Sequence, residues 1–107
     1  MLRNLPQWTE EDILRIAKLH LKELDLEESK ITLTSYEVTE EDGQTYYDVV
    51  KGTALINEDT TVSELIEQKA DSEDTIKEYK TLKGLIKKAT KEHTKFNKFD
   101  YHYIVIN

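Results

Sequence analysis

The sequence predicts a small α+β domain with the element order αββααβ. Three observations carry this. Apolar residues recur with a helical period near the start of the chain and again over residues 72–93. Two β-branched segments flank the dipeptide Asp42-Gly43. A nearly all-apolar run, Tyr101 to Ile106, stands near the C-terminus. The length of 107 residues fits a single domain over 1–107, an antiparallel hairpin plus a C-terminal strand packed against helices.

The first helix is expected at about 10–24. Thr9 is a good N-cap residue, and Asp12, three residues on, completes a variant of the capping box. Trp8 before the cap and Ile13 inside the helix fit a hydrophobic staple. Ile13, Ile16, Ala17, His20, Leu21 and Leu24 then recur at helical spacing.

A hairpin follows. Residues 30–38 and 44–56 read as strands, and Asp42-Gly43 suits a type I′ turn, whose central residues both need positive φ. A two-residue turn places Val38 opposite Tyr47 and Tyr36 opposite Val49, both suited to a packed face. Gly52 inside the second strand marks a bulge or a close backbone approach.

Thr61 and Glu64 form a capping box for a short helix with Val62, Leu65, Ile66 and Ala70 on its inner face. Ser72 or Asp71 is then expected to cap a longer helix running to about His93. Gly84 lies inside it at a cost of about 1 kcal/mol relative to Ala. The continuing apolar pattern predicts one helix there, with Gly84 packed tightly against a neighbour. The run 101–106 reads as an inner strand buried on both faces and paired with the hairpin.

Charge is unevenly distributed. The formal net charge is −7, yet residues 77–98 hold eight lysines and two glutamates. On one helix, Lys77, Lys80, Lys87, Lys88, Lys91 and Lys95, with Lys83 just beside them, gather on the face opposite Tyr79, Leu82, Leu85, Ile86, Ala89 and His93. Like charges at i,i+4 cost roughly 0.2–0.5 kcal/mol per pair. The helix dipole favours cations only near the C-terminal turn and does not account for Lys80 or Lys83. Acidic loops of the same chain or an external acidic partner would neutralise the stripe. Lys80, Lys83, Lys87, Lys88, Lys91 and Lys95 are therefore the candidate partner-binding residues.

Motifs for chemistry are not in view. The three glycines are isolated, so no phosphate-cradling loop is formed. No serine sits in a nucleophile elbow. His20 lies on an apolar stripe and reads as a satisfied packed histidine. Glu92 and His93 are adjacent and point apart, and an approach of His93 to His102 lacks a third ligand. The acids around Gly43 lack calcium-loop spacing. The stretch 95–103 interleaves bases with aromatic rings, which read mainly as packing. No catalytic residue, metal or cofactor is expected.

The absence of cysteine fits a reducing compartment, and no secretory signal or membrane span is expected. The composition fits a small cytoplasmic accessory protein of a bacterium or phage. The expected function is non-enzymatic: binding of a protein partner or self-association. The alternatives are a nucleic-acid binder using the lysine stripe, which the net charge opposes, or an acidic mimic of a nucleic-acid backbone.

Overall fold

The computed structural model describes residues 8–93 and 99–106. It is a small single α+β domain of three helices and four strands, in the order α1 (Glu10–Glu23), β1 (Glu28–Glu41), β2 (Gln44–Asn57), α2 (Val62–Ser72), β3 (Asp74–Tyr79), α3 (Leu82–His93), β4 (Asp100–Ile106). The strands form one mixed sheet ordered β3-β2-β1-β4. The hairpin pairs antiparallel, β3 pairs antiparallel with β2, and β4 runs parallel to β1.

α1 begins where its signals place it. The Thr9 hydroxyl accepts from the Asp12 N–H at 3.2 Å, and the Asp12 carboxylate accepts from the Thr9 N–H at 3.1 Å. At its other end the Leu26 N–H reaches back to the Leu21 carbonyl and the Asp25 N–H to the Lys22 carbonyl. This is a Schellman ending, with Asp25 at φ 54° where glycine is the usual residue. The hairpin turn has φ of 52° at Asp42 and 78° at Gly43, so both central residues are left-handed as a type I′ turn requires. Val38 lies opposite Tyr47 and Tyr36 opposite Val49, the register expected from the turn.

The sheet is covered on both faces. α1, α2 and one face of the strands enclose Ile13, Leu14, Ala17, Leu21, Leu33, Ile56, Leu65, Tyr101 and Tyr103. α3 closes a smaller cluster on the other face, built from Tyr36, Val49, Leu85 and Ala89. Alternation along each strand sends successive residues to opposite clusters.

Three expectations are corrected. The long helix over 72–93 is a strand followed by a helix. Asp74–Tyr79 pairs along β2, with a register shift at Val49/Val50, before α3 starts at Leu82. Helical periodicity across Ile76 and Tyr79 gives way there to pairing with a sheet edge, a tertiary gain that outweighs local propensity. Second, β4 is an edge strand, although packed on both sides: Tyr101 and Tyr103 face the α1/α2 cluster and Ile104 the α3 cluster. Parallel pairing with β1 on one side leaves the outer side without a strand neighbour among the described residues. Third, the inner face of α2 is rotated. Leu65 and Lys69 are buried, whereas Ile66 is 47% exposed and Ala70 is exposed. Gly52 explains the rotation, because its missing side chain lets Lys69 lie directly on β2.

Candidate interaction surface

α3 is positioned by its cap and by Tyr79. The Thr81 hydroxyl accepts from the Gly84 N–H at 3.1 Å, and the Thr81 carbonyl accepts from the Leu85 N–H at 3.2 Å. A Cβ on Gly84 would stand 3.1 Å from the Tyr79 ring, so the expected tight packing at Gly84 is found, against the last residue of β3. Leu85 and Ala89 point into the core, which turns the opposite side of α3 to solvent.

The six candidate lysines are distributed unequally. Lys83, Lys87 and Lys91 are exposed and form one i,i+4 row on the outer side of α3. Lys88 is half-buried, and its ammonium donates to the Glu92 carboxylate at 2.7 Å. That hydrogen bond raises its pKa above the usual lysine value. Lys80 is exposed in the turn between β3 and α3. Lys95 lies outside the described residues. Because residues 74–79 are a strand, the stripe is not one helical face, and Lys77 sits on β3 with its ammonium 5.7 Å from the Tyr79 ring centroid. The basic surface is therefore a three-lysine helical row with Lys80 and Lys77 beyond its N-terminal end.

On the opposite face of the sheet lies a carboxylate row. Glu37 on β1 is directly opposite Asp48 on β2, and Asp48 is directly opposite Glu78 on β3. Like charges in directly opposed positions destabilise a sheet. Burial, then Glu78, then Glu37 push the Asp48 carboxyl above its ordinary pKa. The Ser35 hydroxyl donates to Glu37 at 2.6 Å. Lys69 is the counter-charge: its ammonium is 3.3 Å from Glu73 and 3.6 Å from Glu37, with the side chain only 10% exposed. The same ammonium is 5.8 Å from the Tyr103 ring centroid. Glu37, Lys69, Glu73, Tyr103 and Val105 line a shallow groove of about 180 Å³ beside the row.

His20 and His102 sit in tyrosine pairs. Tyr101 OH and His20 Nδ1 are 2.9 Å apart, as are Tyr36 OH and His102 Nδ1. Both pairs link β4 to its neighbours, one on each face, and fit a packing role. Among the described residues no three His, Cys, Asp or Glu side chains are grouped to hold a metal ion.

Sequence reasoning missed the carboxylate row. Half of it was legible, since the hairpin register that pairs Val38 with Tyr47 also pairs Glu37 with Asp48. Glu78 joins the row through β3, which the helical reading of 72–93 concealed. Comparison of the chain with protein-family models, with curated proteins and with solved structures finds no match.

Proposed function

We propose that this chain is a non-enzymatic binding module whose contact surface is the outer side of α3, and that its partner is an acidic protein surface. The observation that carries the reading is the exposed row Lys83, Lys87, Lys91. Two i,i+4 like-charge pairs cost an isolated helix roughly 0.2–0.5 kcal/mol each, and an acidic partner turns that cost into attraction. α3 also has no acid in its first turn, so the row is not offset where the helix begins. The cysteine-free composition suits action in a reducing cytoplasm, as for a bacterial or phage accessory protein.

The test is capture. Lys83, Lys87 and Lys91 replaced together by Gln keep helix propensity close to that of Lys, so the fold is retained. Wild type cross-linked in cells should retain specific proteins that the triple variant loses. Capture of the same proteins by both would overturn the reading.

A second reading has one observation of its own. Lys77 over the Tyr79 ring joins a cation and an aromatic side chain next to Lys80, a combination that single-stranded nucleic acid uses. The net charge of −7 opposes it at long range. Binding of random oligonucleotides with a steep salt slope at about 0.15 M salt would move this reading to first place.

A further inference from the structure

We propose that the outer lysine row of α3 docks on the carboxylate row Glu37–Asp48–Glu78 of a second copy of this chain, so that copies associate head to tail. The inference rests on the reading of α3 as a contact face and names one occupant for it.

Four observations support it. The two rows lie on opposite faces of one sheet. α3 covers the Tyr36/Val49 face, while Glu37 and Asp48 alternate to the face that carries α2 and Lys69. The sheet keeps the rows of a single molecule apart, and only another molecule can bring them together.

The spacings also agree. Lysines four residues apart on a helix rise about 6 Å per step. Carboxylates on adjacent strands stand about 4.8 Å apart. Three flexible ammonium groups along α3 therefore span about the width of three strands.

The signs are complementary as well. Lys69 is shared by Glu37 and Glu73, and the row adds the carboxylates of Asp48 and Glu78. The helical row Lys83, Lys87, Lys91 is positive. The crowding that raises the Asp48 pKa is relieved by an arriving cation.

Finally, the row is reachable from its β3 end. Glu78 is exposed on an edge strand, whereas Asp48 is half-buried and the Glu37 side chain is 21% exposed. The adjoining groove offers the half-buried Val105 to a lysine stem.

A contact between two different surfaces does not close on itself, so association should grow with concentration beyond dimers unless a ring forms. The experiment is sedimentation velocity of the full chain over a concentration series. At about 0.01 M salt, where screening extends about 30 Å, the wild type should form concentration-dependent oligomers. At about 1 M salt, with screening near 3 Å, it should be monomeric.

Two variants separate the surfaces: K83Q/K87Q on the helix and D48N/E78Q on the row. Both relieve like-charge neighbours or sit at exposed positions, and circular dichroism checks that each folds. Each alone should associate at least tenfold more weakly than wild type. Mixed in equal amounts, they retain one intact lysine row and one intact carboxylate row, and should form a dimer that grows no further. A wild type that stays monomeric at low salt, a row variant that associates like wild type, or a mixture without dimer would overturn the proposal. A monomeric wild type whose helix variant still loses a captured protein would leave α3 as a contact face for a different partner. If either variant fails to fold, E78Q alone, at an exposed edge position, carries the same comparison.

Discussion

Gly52 lies directly beneath Lys69: a Cβ added there would come within 2.8 Å of both the Lys69 Cγ and the Lys69 carbonyl oxygen. One of these is backbone, so it cannot swing aside. The close approach lets the end of α2 settle on β2 and carries the Lys69 ammonium to Glu37. Replacing Gly52 by Ala must push the helix outward. Overpacking of this kind costs about 1–3 kcal/mol, to be read from urea or thermal unfolding. A variant as stable as wild type would show that α2 yields easily here.

Lys69 is the second test of the same contact. Lys69→Met keeps an unbranched stem over Gly52 and removes the ammonium that Glu73 and Glu37 share. Hydrogen bonds to charged groups contribute about 1.5–3 kcal/mol, and a loss in that range is expected. Double-mutant cycles with Glu37→Gln and Glu73→Gln should assign the larger coupling to Glu37, whose side chain is 21% exposed against 43% for Glu73. Equal destabilisation by Lys69→Met with or without Glu37 would refute the pairing.

Asp48→Asn should stabilise the domain at neutral pH. Asp48 stands between two like charges in the strand register, and the substitution removes both oppositions, each expected to gain roughly 0.2–1 kcal/mol. The pH dependence has a definite sign. The folded-state pKa is raised, so between the unfolded and folded values the native state holds the extra proton. Wild-type stability therefore gains from Asp48 as pH falls through the folded pKa and loses it as pH rises. The variant should lack that limb, so the stability difference shrinks toward acid pH. A difference constant from neutral to acid pH would contradict the account.

The fold was legible where local signals agreed with one another. Thr9, Asp12, Thr61 and Glu64 marked two helix starts, and Asp42-Gly43 fixed the hairpin register to the residue. It was illegible where a tertiary partner decided. Nothing in Asp74–Tyr79 by itself requires a strand; β2 supplies its hydrogen-bonding edge. Thr81 was the readable clue, since it caps α3 and so ends the preceding element before Leu82. The candidate lysines followed the same rule. Lys83, Lys87 and Lys91 kept the helical spacing read from the sequence, whereas Lys80 left the helix together with β3. Burial of Lys69 was invisible because a lysine on an otherwise apolar face is ordinarily read as turned outward, and the decisive feature, a glycine on another element, is far away in sequence.

The central claim is that the outer side of α3 is a contact surface, and site-specific photo-cross-linking tests it most directly. A photoreactive residue replaces Lys87 in one sample and Asp59, an exposed residue of the turn between β2 and α2, in a control. The account predicts a discrete adduct from position 87 in cells, none from position 59, and loss of the adduct when Lys83 and Lys91 are both Gln. An adduct of twice the chain mass would identify a second copy as the occupant. Absence of any adduct from position 87, or an adduct indifferent to Lys83 and Lys91, would contradict it.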